Sequence, residues 1–344
     1  MWGTVVDWDL APANPGRRIA VLGGDHTPVT AIAWSPDAAI IVTGARSGQI
    51  RLWTAAGQMI AERNPTHEAI LAIQFTSDAK NIISFDGKGG VQRLDRTGEP
   101  ISSPVKLDVS EPIQARFSLD GTSVAVSIAG GAADFFKLGD GPAVRVGRSH
   151  KGWIMASSID PRGNLVATAG ADDTIEISRT SGEAVGNPIQ AEQDQVEDAT
   201  FSPDGRTVAS AGADGTVKLW TLAGELTGTL IGHNGKVLTV SFSPDGQLIA
   251  TAGQDGTVRL WTSGGLQIDQ LDGSKGTLSQ EGLGGDFGGT GLAFSPNSAS
   301  IAIAQTGGSV ALYRIQSLDE LVEYGCAWLK PYLDSHPIAP NPCN

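Results

Sequence analysis

The chain has 344 residues, 40% of them hydrophobic, with 45 glycines and 18 prolines, enough apolar mass for a core and the turn residues of many short strands. Its formal charge of −13 and the lack of any Lys/Arg-rich run exclude the basic stripe that replaces phosphate counterions, so no nucleic acid is expected, and basic or neutral partners are favoured. No run of about 18 apolar residues is present to span a membrane, and MWGTVVDWDL has neither region of a secretory signal.

In chain order, residues 1–16 form an N-terminal extension. Within it Thr4–Trp8 (TVVDW) resembles Thr216–Trp220 (TVKLW) and is an extra strand. Two readings of it stand open: the chain is the C-terminal part, or a split version, of a longer repeat protein, or the extension packs on the last repeat. Arg17–Leu22 (RRIAVL) is the next strand, and Val29–Trp53 then opens a series of repeats. Val196–Trp220 and Val237–Trp261 are near copies, and weaker ones surround Phe75, Phe117, Ile159 and Phe294. The register residues Trp34, Phe75, Phe117, Ile159, Phe201, Phe242 and Phe294 recur about every 41 residues, the span of one four-stranded propeller blade, with the last step about ten longer. Each unit holds three apolar runs between turns such as Ser243–Gly246 and Asp255-Gly256, where glycine accepts φ > 0. The seventh unit, ending at Tyr313, lacks an outer strand. Arg17–Leu22 supplies it, so residues 17–315 form a ring with no free sheet edge.

The glycine-rich stretch 273–291 leads into a strand rather than a helix and has no GxxxxGK[ST], so it reads as a surface loop, not a phosphate cradle. Past Tyr313 the pattern changes. Ser317 and Glu320 make a capping box, and Leu318, Leu321, Val322, Trp328 and Leu329 recur at helical spacing up to Pro331. Residues 316–344 are therefore predicted to be an amphipathic helix and tail, with two readings open: the apolar side lies against the propeller, or it docks a partner. Both cysteines, Cys326 and Cys343, lie there; a disulfide and a pair of reduced thiols are both open.

Gly232-His233, Asp255 and Leu260-Trp261 at this spacing, with several copies in frame, resemble the WD40 repeat over roughly residues 3–314. The resemblance implies an all-β, seven-bladed WD40 β-propeller with a short C-terminal α-helical tail. The segment LDELVEYGCAWLKPYL (318–333) is similar to tails behind propellers in bacterial, cyanobacterial-type multidomain WD40 regulatory proteins. That implies a cytoplasmic chain and a fused or neighbouring signalling or NTPase partner. In the family, His, Ser/Thr, Asp and Trp of one repeat form a buried hydrogen-bond network. The sixth unit has all four in His233, Thr251, Asp255 and Trp261. The fifth has Ser210, Asp214 and Trp220 with Glu192 in the His place, and the fourth has His150, Thr168 and Asp172 with Ser178 in the Trp place. Units two, three and seven keep less and are expected to be looser blades held by apolar packing alone.

Family contact positions lie one, three and five residues after the His, on the top face. They give Lys151, Trp153 and Met155 in the fourth unit, Gln193, Gln195 and Glu197 in the fifth, and Asn234, Lys236 and Leu238 in the sixth. They give His26, Pro28 and Thr30 in the first and His67, Ala69 and Leu71 in the second, while units three and seven align too weakly to assign. A Trp beside a Met is a typical interface anchor, although Trp153 could instead fold over the central channel. No HExxH, CxxC or GxSxG occurs, so no catalytic residue, metal or cofactor is expected. The expected function is a non-enzymatic protein-interaction scaffold or sensor. Its rivals are an assembly subunit using the N-terminal strand or C-terminal helix, and an enzyme with a central-channel site.

Overall fold

The computed structural model describes residues 18–23, 27–272, 291–305 and 307–315 (backbone only for Asp140 and Asp272). Residues 4–8, expected as an extra strand, residues 273–290, expected as a surface loop, residues 316–344, expected as a helix and tail, and both cysteines lie outside the described residues. Within them, 28 strands, β1 to β28 in chain order, form seven four-stranded antiparallel sheets. Six sheets are consecutive meanders. The seventh has the order β1-β28-β27-β26. There Arg18–Leu22 (β1) pairs with Val310–Arg314 (β28), Leu22 opposite Val310 and Arg18 opposite Tyr313. The ring is closed by its two ends, as the repeat pattern requires.

The innermost strands are β2 (Val29–Trp34), β6 (Ile70–Phe75), β10 (Pro112–Phe117), β14 (Ile154–Ile159), β18 (Val196–Phe201), β22 (Val237–Phe242) and β26 (Leu292–Phe294). The register residues at their ends therefore share one level of the ring. Successive side chains of a strand point to opposite faces of a blade, and each face meets a different neighbour. In blade six, Val258 and Leu260 pack with Phe294 and Ile301 of blade seven, while Trp261 packs with Val217 and Leu230 of blade five. The core is thus seven wedges, one between each pair of adjacent blades, and no blade buries its apolar surface alone.

The turn after each innermost strand follows one plan. In blade six Ser243 Oγ donates to Asp245 Oδ1 (2.6 Å), and the backbone N–H of Leu248 donates to Ser243 Oγ (2.9 Å). Gly246 adopts φ 70, where a Cβ would crowd the backbone. Blades one, two and seven hold Ala38, Ala79 and Ser298 in the same left-handed conformation, at φ 58, 57 and 56. These turns define the bottom face. The loops leading into the innermost strands define the top.

Candidate protein-binding face

The top face is organised by the buried networks beneath it. In blade six, Trp261 Nε1 donates to Thr251 Oγ1 (2.9 Å), which lies 2.8 Å from His233 Nε2, while His233 Nδ1 lies 3.0 Å from Asp255 Oδ2. The consistent direction is Trp N–H to Thr, Thr O–H to Nε2, and Nδ1–H to carboxylate. The imidazole is therefore neutral. Burial pushes His233 below its ordinary 6.5, against the pull of Asp255. Burial works to raise Asp255, but the N–H groups of Asn234 and Thr257 outweigh it and hold the acid below 3.8. Asp255 Oδ2 also accepts the backbone N–H of Asn234 (3.0 Å), which fixes the loop. Gly253 is required here, since a Cβ would run into His233 Nδ1.

Blade four repeats the arrangement. His150 Nδ1 is 2.9 Å from Asp172 Oδ1, Nε2 is 3.0 Å from Thr168 Oγ1, and Asp172 Oδ2 accepts the backbone N–H of Lys151 (2.7 Å). Ser178 is too short to reach Thr168 and donates to Glu176 Oε1 instead (2.9 Å). Blade five corrects the sequence reading: Gln193, not Glu192, takes the His place. Its Oε1 accepts Ser210 Oγ (2.5 Å), its Nε2 donates to Thr216 O (3.0 Å), and Trp220 Nε1 donates to Ser210 Oγ (2.9 Å). Glu192 lies at φ 52 and is exposed; a carboxylate in that pocket would be stripped of water, whereas the amide finds partners for both its oxygen and its nitrogen. Asp214 caps its own turn through Thr216, whose Oγ1 also accepts Gln193 Nε2 (3.3 Å), so it joins the network at one remove.

Units two and three, expected to rely on apolar packing alone, also carry polar links. Thr66 Oγ1 meets Asp86 Oδ2 (3.4 Å), and Gln114 Oε1 accepts the N–H and Oγ of Ser157 in blade four, both at 3.0 Å. Blade three fills its core with Phe117, Phe135 and Phe136.

The proposed contact positions are placed as follows. Lys151 and Asn234 are exposed, with only their backbones committed to the aspartates below. Trp153 is 57% exposed and does not fold over the channel. Met155, Gln195 and Leu238 are half-buried, and His67 is exposed. Gln193 is fully buried and is removed from the contact set. Glu197 is nearly buried and pairs with Lys236 Nζ at 2.6 Å. In blade one Pro28 is half-buried and Thr30 buried; in blade two Ala69 is half-buried and Leu71 buried. His26 lies outside the described residues. Blade three, left unassigned by sequence, is settled by a shared backbone bond: Ala129 N–H donates to Glu111 O as Ala171 donates to Trp153 O and Gln254 to Lys236 O. Glu111 is thus the counterpart of Trp153 and Lys236, and it is exposed.

One constellation escaped the sequence reading. In the channel, Arg116 Nη2 of blade three reaches both oxygens of Asp198 in blade five, each at 2.9 Å, past blade four. Asp198 also accepts Thr239 Oγ1 (2.8 Å) and Val240 N–H (3.1 Å) of blade six. The signal was there: Arg116 inside PIQARF, and Asp198 beside Glu197 inside VEDATF. These groups hold one another: Asp198 Oδ2 accepts three of the four bonds and Oδ1 the other.

Among the described residues no group of three or more His, Cys, Asp or Glu stands within reach of a shared metal, and no helix is long and apolar enough to cross a membrane.

The family described as WD domain, G-beta repeat matches residues 16–54, 141–177, 186–221 and 224–262. Over 73 residues the chain is 34% identical to the SIR4-interacting protein SIF2 of Saccharomyces cerevisiae. That segment is 21% of this chain and 14% of the relative, so the likeness is confined to a fraction of either protein.

Proposed function

From a seven-bladed propeller carrying WD40 repeats, we propose a non-enzymatic interaction module that docks a protein segment on its top face around Trp153. WD40 propellers generally bind protein partners, and SIF2 is by name an interacting protein. The observation that carries the reading is Trp153 itself. A large ring left 57% exposed on a rigid rim is a ready anchor, and its position is fixed by the His150–Asp172 network one loop below. Around the channel rim it stands between Glu111 and Gln195, with Lys236 already neutralised by Glu197. The segment that fits has an apolar residue for Trp153 flanked by basic residues, in keeping with the chain's net charge of −13.

The test is a titration of the captured partner against variants. Trp153→Ala should weaken binding by about 2 kcal/mol, roughly thirtyfold, at unchanged melting temperature. Lys151→Glu, at an exposed side chain, should change affinity without altering the fold. Lys236→Glu is the poorer probe because it sets two carboxylates against each other at Glu197. Unaltered affinity in both Trp153→Ala and Lys151→Glu would remove this face from consideration.

A further inference from the structure

The bottom end of the central channel opens into a cavity of about 710 Å³ lined by all seven blades, inside the range of roughly 300–1,000 Å³ that small-molecule sites occupy. Around its mouth stand register residues, Phe117, Phe201 and Phe242 among them, with prolines of the following turns. One residue deeper, at the penultimate position of the innermost strands, the wall turns polar. Blades two to six place Gln74, Arg116, Ser158, Thr200 and Ser241 there in succession.

Most of these polar groups are not spent on the protein. Thr200 is 9% exposed, and its hydroxyl has no hydrogen bond among the described residues. Ser158 Oγ accepts the N–H of Phe201 at 3.4 Å. Ser241 Oγ reaches no further than the carbonyl of the next residue, Phe242, also at 3.4 Å. Arg116 places Nη2 on Asp198 and keeps Nη1 without a bond among the described residues. Gln74 is the committed one, its Nε2 donating to Ser118 O (2.8 Å) and Leu119 O (3.2 Å). Buried donors favour an acceptor that meets them. The deep wall therefore offers hydroxyl and guanidinium donors to an oxygen, and the mouth offers aromatic rings to an apolar body.

Charge selects the kind of oxygen. Arg116 is already neutralised by Asp198. Asp120, Asp204 and Asp245 stand exposed beside the mouth, each accepting from a serine of its own turn rather than from a cation. An anion would pass these carboxylates and find no uncompensated cation at the wall. A neutral carbonyl meets neither obstacle.

We propose that the bottom cavity binds a small uncharged molecule with an aromatic body and a carbonyl oxygen, the oxygen accepting at Thr200 and the rings lying among Phe117, Phe201 and Phe242. Such a ligand sits at the opposite end of the channel from Trp153, and the inference does not depend on the top-face reading.

The test titrates the full chain with benzophenone by saturation-transfer NMR. Diphenylmethane has the same rings without the oxygen, and 4-benzoylbenzoate adds a carboxylate. Benzophenone should bind saturably and more tightly than either. Thr200→Val, which keeps the shape and removes the hydroxyl, should weaken benzophenone about fivefold and leave diphenylmethane unchanged. Thr200→Ser should restore the affinity, and Ser241→Ala takes the place of Thr200→Val if that variant melts early. Irradiation of the benzophenone complex should put adducts on the bottom halves of the innermost strands. Four outcomes would each overturn the proposal: no saturable binding, equal affinity for benzophenone and diphenylmethane, tightest binding of 4-benzoylbenzoate, or adducts confined to the top face or outer strands.

Discussion

The residue that reveals most is Gln193. It performs with an amide what His233 performs with an imidazole, bridging the loop to a hydroxyl that a Trp also addresses. Blade six should therefore accept His233→Gln at a cost within about 1 kcal/mol at neutral pH. The pH response should change more. His233 is held below 6.5 in the fold, so below that pH the unfolded chain binds the extra proton and stability falls with acidification. The Asp255 contribution, held below 3.8, is lost only at lower pH still. Thermal melts at pH 7 and pH 5 should show a smaller drop for His233→Gln than for the parent; equal drops would mean that His233 carries no acid sensitivity. A second residue tests the turn plan. Ala38 sits at φ 58 where four other blades use glycine, so Ala38→Gly should stabilise by about 1 kcal/mol in a denaturant titration.

Among the elements, the innermost strands carry both the legible and the illegible parts of the fold. Their spacing, the ring closure by Arg18–Leu22 and the blade-six network could be read directly, because period and turn chemistry are local properties of the chain. The shift from Glu192 to Gln193 could not. It depends on a left-handed backbone at Glu192 and on the cost of burying a carboxylate, both of which show only when the loop is folded. Arg116 and Asp198 were visible as charges inside innermost strands, but their partnership joins blades that are not neighbours in sequence. Three blades hang on that pair. Arg116→Ala should cost about 3 kcal/mol by leaving Asp198 buried without its cation. A double variant, Arg116→Met with Asp198→Asn, should recover part of the loss because an amide is cheaper to bury. If the double variant is as unstable as the sum of the two single ones, the two residues act independently.

For the whole molecule, stability is shared around a circle of seven wedges, so the closing contact matters more than its length suggests. β1 covers the edge of β28 and buries Leu22 between blades seven and one. Deletion of residues 1–23 should expose that edge and produce concentration-dependent aggregates, absent from the parent, on size-exclusion chromatography; an elution profile and melting temperature like the parent's would contradict closure by this strand. The same circle holds the top-face residues on a rigid rim, which is what a docking surface needs. Under the proposed function, partners meet the propeller at the rim beside Trp153. This is tested most directly by placing a photo-reactive benzoylphenylalanine at Lys151, and in a parallel sample at Ile60 on the outer strand of blade one, then irradiating in the source cells. Adducts to a defined protein are expected from position 151 and not from position 60. Adducts from position 60 alone, or the same set from both, would contradict it.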